Sequence, residues 1–239
     1  MSLKYTISGT VMQAVNIELK NGQSVLGERG AMSWMSDNIL YETRIKGGIS
    51  GAIKRKLGGE SIFVTNFKCI EGTGIVSFTL DIPGKIIPIQ IKKGQTYICQ
   101  RDSFICAENT VKLDIEFKKI GRGLFGGEGL FLQKLSGQGL AFIESAGEVL
   151  SYDLKKNQKM RVDTGHIVMY EPTVDYDIER VKGTRNILFG SEGLFLATLT
   201  GPGKIWLQTI TAKKLAARLS RQSGPTRRGL LGSIMGGLT

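Results

Sequence analysis

The stretch GGEGLFLQKLSGQG at 126–139 is written again as GSEGLFLATLTGPG at 190–203, 64 positions further on. A third relative, GGESIFVTNFKCIEGTG at 58–74, keeps the Gly-Glu start, the apolar-Phe-apolar run and the Gly-x-Gly end, with three extra residues between. A second motif recurs out of phase with the first: IELKNGQ at 17–23, IQIKKGQ at 89–95 and YDLKKNQ at 152–158. The segments behind it, GERGAMSWM, QRDSFICAE and TGHIVMYEP, correspond more loosely. Two motifs in one cyclic order, three times over, are the signature of one structural unit repeated along a chain.

The period of 63 to 72 residues is longer than the roughly 20–50 of solenoid repeats. It is long enough for about six short strands and too short to bury a comfortable core alone. GLAFIE, KIWLQTI, GIVSFTLDI and TVDYDIER alternate or run apolar between Gly, Asn and Asp, which is strand and turn grammar. The Gly-x-Gly tripeptides at 72–74, 137–139 and 201–203 sit between such runs and read as hairpin turns needing positive φ. With 32 glycines and five prolines, composition supports tight turns rather than a disordered linker. The expected fold is all-β: residues 1–211 form one body of three β-sandwich-like repeats (about 3–80, 81–145 and 146–211) around a pseudo-threefold axis. Residues 212–239 form a tail.

With the repeats in hand, the sequence resembles a known family. The GGEGLFL block, the Gly-x-Gly turns, the Lys-x-Gly-Gln turns and the Gly-Leu-rich ending resemble a group of largely uncharacterised bacterial and archaeal proteins. That group is related to a mitochondrial protein named for altered inheritance of mitochondria, the twenty-fourth of its series. The resemblance runs from residue 3 to about 211. It implies a fold similar to that of the trp RNA-binding attenuation protein, with three β-sandwich units fused in one chain. It implies neither tryptophan nor RNA binding, because fold does not carry function. It brings no catalytic residues, and its mitochondrial members are linked with inner-membrane organisation, which implies a scaffold.

Catalytic chemistry finds little to use. His166 is the single histidine and heads an apolar run, so a structural or surface histidine is expected. Cys69, Cys99 and Cys106 lack metal or Cys-x-x-Cys spacing and lie in strand-like contexts, so they are expected in the core of a protein from a reducing compartment. Trp34, Trp206 and the phenylalanines follow strand alternation and are expected there too. GRGLFG at 121–126 fits G-x-G-x-x-G on paper, but a strand-like run follows it where a dinucleotide site needs a helix. No cofactor is expected.

Three groups remain as candidate sites. Glu60, Glu128 and Glu192 align in the three copies and could converge on a hard cation; the bland reading is an exposed carboxylate at each strand start. Lys20, Lys92, Lys93, Lys155 and Lys156 precede the Gln-containing turns and could form a phosphate-attracting rim, or be solvated turn lysines. The tail carries Lys213, Lys214, Arg218, Arg221, Arg227 and Arg228 and no acidic residue, so six of the eleven net positive charges lie there. AKKLAARLSRQ at 212–222 reads as at most a short basic amphipathic helix; the bland reading of the tail is a frayed, soluble terminus. Positive charges near an anionic bilayer are worth about 1 kcal/mol each.

The sequence therefore predicts a non-enzymatic scaffold or interaction protein, cytoplasmic, and peripheral at an anionic membrane or bound to a protein partner. No stretch approaches the roughly 18–20 apolar residues of a membrane span, and an oligomer is compatible. A nucleic-acid-binding module using the lysine turns is one alternative, and a small-ligand or metal-binding β protein another.

Overall fold

The computed structural model describes residues 3–28, 30–45, 63–100, 103–118, 130–180 and 195–222. A leading strand, β1 (Lys4–Ser8), precedes three sets of six. The first set is β2 (Ala14–Lys20), β3 (Ser24–Glu28), β4 (Met32–Met35), β5 (Ile39–Ile45), β6 (Phe63–Cys69) and β7 (Thr73–Thr79). The second is β8 (Gly84–Ile91), β9 (Tyr97–Gln100), β10 (Phe104–Glu108), β11 (Val111–Lys118), β12 (Leu130–Gly137) and β13 (Gly139–Ala146). The third is β14 (Val149–Leu154), β15 (Lys159–Asp163), β16 (Ile167–Tyr170), β17 (Asp175–Arg180), β18 (Phe195–Thr200) and β19 (Gly203–Gln208). One helix, α1 (Ala212–Gln222), follows.

Each set repeats the same antiparallel pairings. The sixth strand pairs with the first and the third, as in β2–β7–β4, β8–β13–β10 and β14–β19–β16. The fifth pairs with the second and the fourth, as in β3–β6–β5, β9–β12–β11 and β15–β18–β17. A bulge interrupts the third strand at one place in each unit: between Met32 and Trp34, Phe104 and Cys106, and Ile167 and Met169. Bulges re-aim side chains and are built-in features rather than defects.

The units join by strand pairing, the second strand of one against the third strand of the next. β3 pairs β10, and β9 pairs β16. The result is four sheets, β1-β2-β7-β4, β5-β6-β3-β10-β13-β8, β11-β12-β9-β16-β19-β14 and β15-β18-β17. The series does not return to its start: among the described residues β4 and β15 have a strand partner on one side only. Closure of the sheets around a threefold axis is thus not among the hydrogen-bonded pairings.

Three apolar clusters lie between successive sheets. Strands of the two inner sheets feed a cluster on each side. In β13, Leu140 and Phe142 enter the first cluster while Ala141 and Ile143 enter the second. In β9, Cys99 enters the second and Ile98 the third. A sheet covered on both faces requires near-continuous apolar strands, hence FICAE and GLAFIE.

Trp34 corrects an expectation. It is 53% exposed, because β4 is an edge strand of the first sheet and has no layer outside it. Trp206 is partly buried against the second cluster and meets Tyr97 edge-on at 5.8 Å.

Candidate functional site

The lysine-bearing turns owe their motif to geometry. In each, the Gln side-chain oxygen accepts the backbone N–H of the first lysine: Gln23 from Lys20 at 2.8 Å, Gln95 from Lys92 at 3.0 Å and Gln158 from Lys155 at 2.9 Å. The Gln backbone N–H donates in return to that lysine's carbonyl in all three. The residue between lies in the left-handed region, as Gly22 (φ 81°), Gly94 (φ 85°) and Asn157 (φ 63°). Lys20, Lys92, Lys93, Lys155 and Lys156 are exposed. The three turns cross from the first sheet to the second, the second to the third and the third to the fourth. They advance one layer per unit, and stacked sheets lie about 10 Å apart.

The Gly-x-Gly turns do join the fifth and sixth strands as hairpins. At Gly137, φ is 97° and a Cβ would stand 2.5 Å from the Thr110 carbonyl oxygen. Beside these turns sit two carboxylates that no motif marks. Glu108 accepts the backbone N–H groups of Leu3 (2.9 Å) and Leu140 (2.8 Å), and Glu171 that of Lys204 (2.9 Å). In the first unit Ser36 does the same for Ile75 at 2.9 Å. The aligned ends of FICAE and VMYE carry the signal that could have found them. A shallow cavity of about 550 Å3, lined by Leu3, Gln23, Ser24, Gln90, Glu108 and Asn109 among others, opens at the joint of the first two units. Glu108 there is committed to backbone N–H groups, so the cavity holds little free chemistry.

The nucleophiles and the histidine are structural. Cys69, Cys99 and Cys106 are free and fully buried. Burial pushes the Cys99 thiol up to about 12 and Cys106 well above its ordinary value, and a protonated thiol is a poor nucleophile. Among the described residues no three His, Cys, Asp or Glu side chains group to hold a metal ion. Glu60, Glu128 and Glu192 lie outside the described residues, as does the stretch at 121–126.

The tail is helical where it is described. Thr211 caps α1, its hydroxyl accepting the Lys214 N–H at 3.1 Å and its carbonyl the Leu215 N–H at 3.0 Å. Capping oxygens satisfy the free N–H groups of a first turn. Lys214 then fastens the helix to the third unit: its Nζ is 3.1 Å from Asp163 Oδ2 and 2.8 Å from His166 Nε2. A lysine only donates and a carbonyl only accepts, so His166 Nε2 is the acceptor and its Nδ1–H donates to the Gln208 carbonyl at 2.7 Å. One of the expected surface-contact lysines is therefore tied to the third unit while remaining exposed. Lys213 and Arg218 are exposed, Leu215 is half-buried and Leu219 is 57% exposed. Arg221 falls in the helix, but its side chain, like Arg227 and Arg228 entirely, lies outside what is described. No helix among the described residues is long and apolar enough to cross a membrane.

Residues 5–210 match the family described as Mitochondrial biogenesis AIM24. An uncharacterized protein of Streptococcus pyogenes serotype M6 is 28% identical over 228 residues, covering 92% of this chain and 90% of that protein. A crystal structure of a Streptococcus pyogenes protein, solved by a structural genomics consortium, superimposes with a TM-score of 0.72 at 26% identity. It covers 92% of this chain and 99% of that one.

Proposed function

The chain belongs to the AIM24 family, and from that premise we propose that it is a non-enzymatic scaffold that meets an anionic surface through α1. The observation that carries this reading is the helix itself. It is seated by Thr211 and Lys214 and still presents Arg218 and Leu219 outward. Leu215 and Leu219, four apart, share a helical face, while Lys213, Arg218 and Arg221 supply positive charge. Burying one leucine is worth roughly 1.5–3 kcal/mol, so such contact is reversible and salt-sensitive. The scaffold reading draws on how the reactive groups are used: the thiols are sealed in cores, and Glu108, Glu171 and His166 hold backbone or helix in place.

The test is flotation of the full chain with vesicles of anionic and of zwitterionic phospholipid, beside the Arg218→Glu/Leu219→Ser variant. Flotation of the full chain alone, on anionic vesicles alone and reversed by salt, is the expected result. No flotation, or flotation indifferent to the variant, overturns it. Binding of single-stranded RNA or DNA that Lys155→Glu/Lys156→Glu weakens would instead favour the nucleic-acid reading.

A further inference from the structure

We propose that the chain assembles head to tail with further copies of itself, β15 of one copy pairing antiparallel with β4 of the next. The internal joints supply the template. The chain forms the same joint twice, second strand to third strand, in one register: Gly27 opposite Cys106 and Leu26 opposite Ala107, then Cys99 opposite Met169 and Ile98 opposite Tyr170. Those pairs superimpose through the Gln turns and the third-strand bulges. The two strands left over are the second strand of the last unit, β15, and the third strand of the first, β4. They are the two halves of a third joint. Carried over in register, Val162 stands opposite Trp34, Arg161 opposite Met35 and Lys159 opposite Asp37.

The apolar faces beside these edges agree. In the first two units, the first strand is covered in part by the third and sixth strands of the unit that follows: Val15, Ile17 and Leu19 share a cluster with Cys106, Leu140 and Phe142. Among the described residues the last unit has no successor, and Leu150 and Tyr152, at the places of Val15 and Ile17, are 49% and 41% exposed. At the other end the first unit has no predecessor among the described residues. There Trp34 and Ile75, at the places of Cys106 and Leu140, are 53% and 45% exposed. The surface lacking a cover and the surface able to supply one lie at opposite ends of the chain. At the equivalent place in the first internal joint, Asn109 hydrogen-bonds Ser24; between copies an exposed Asp37 and an exposed Lys159 would meet. A head-to-tail contact of this kind gives rings or filaments, not isologous dimers, and uses strand addition to an open edge.

The proposal is independent of the membrane reading and is tested without lipid. Sedimentation of the full chain across the micromolar range is expected to show species beyond the monomer that grow with concentration. Lys159→Asp, and separately Asp37→Lys, should each raise the dissociation constant about tenfold by setting like charges opposite one another. A chain carrying both should recover. Mixing a Met35→Cys chain with an Arg161→Cys chain should give a disulfide between them on oxidation. A monomer at every concentration overturns the proposal. So does assembly indifferent to both charge changes, or a chain with both cysteines that closes the disulfide on itself.

Discussion

Strands β2 and β14 hold the same place in their units and run into the same Gln-closed turn, yet their environments diverge. Val15, Ile17 and Leu19 on β2 are fully buried. On β14, Leu150 and Tyr152 are 49% and 41% exposed, and only Leu154 is buried. The local sequence alternates in both. What differs is the neighbour: β2 faces a second unit, and β14 ends the series. Burial in a fold built this way is a property of the joint between units, as in repeat proteins whose stability is a sum of unit and interface terms.

The largest test of that difference is a pair of truncations. Phe142→Ala removes a fully buried ring from the joint, where it meets Tyr5 edge-on at 4.9 Å. Its expected cost is about 3–5 kcal/mol. Tyr152→Ala at the uncovered end should cost no more than about 1 kcal/mol. Urea denaturation of dilute protein reads both. Equal costs would mean that the joint between units is not what buries the core.

The carboxylates sharpen the same contrast. Glu108 ties Leu3, just ahead of β1, and β13 to β10 through two backbone N–H groups, whereas among the described residues Glu171 accepts one, from Lys204. Charge-assisted hydrogen bonds of this kind are worth about 1.5–3 kcal/mol. Glu108→Ala is expected toward the upper end or beyond, and Glu171→Ala near the lower. Proteolysis at the N-terminus should rise for the first alone, since it alone frees Leu3.

These carboxylates also show what can be read in the sequence and what cannot. Strand alternation, the Gly-x-Gly hairpins and the buried cysteines follow from residue type and spacing, because each is decided within a few residues. The role of Gln in the recurring turn is legible only as recurrence; its hydrogen bond to a backbone N–H three residues back is what the recurrence preserves. Glu108 is marked only by its alignment with Glu171, which does not tell its role, because its partners are 105 and 32 residues away. Trp34 reads as a core residue because it falls on the apolar phase of MSWM, and nothing local says that the first unit has an open outer face. The helix is readable from Leu215 and Leu219, but not the tether made by Lys214, which depends on Asp163 and His166.

A smaller effect separates interior thiols from solvent. Cys99, between the second and third sheets, is raised from the ordinary 9.0 to about 12 by burial. A thiol whose folded pKa is raised stabilises the fold fully below the unfolded value. That stabilisation is lost as pH climbs from there toward the folded value, because the unfolded chain ionises first. The expected outcome is denaturant stability flat up to about pH 8 and falling above about pH 9, at most roughly 1.4 kcal/mol per pH unit for each thiol. Cys99→Ala should flatten that slope. Labelling by a thiol reagent near neutrality should be absent until the protein unfolds.

The smallest expected effect returns to the turns, where the first and third units differ at the left-handed position. Gly22 has φ 81° with nothing within 4 Å of the place a Cβ would take, and Asn157 holds the equivalent position at φ 63°. Space is therefore no obstacle; only the left-handed backbone discriminates. That conformation costs an ordinary L-residue about 1–2 kcal/mol, and asparagine visits it readily. Gly22→Asn should leave the thermal midpoint within about 1–2 °C of the parent, whereas Gly22→Ala should lower it by roughly 2–6 °C at this chain length. Equal losses from both would show that the first turn needs glycine for closeness, as Gly137 does, and the three turns would no longer be interchangeable.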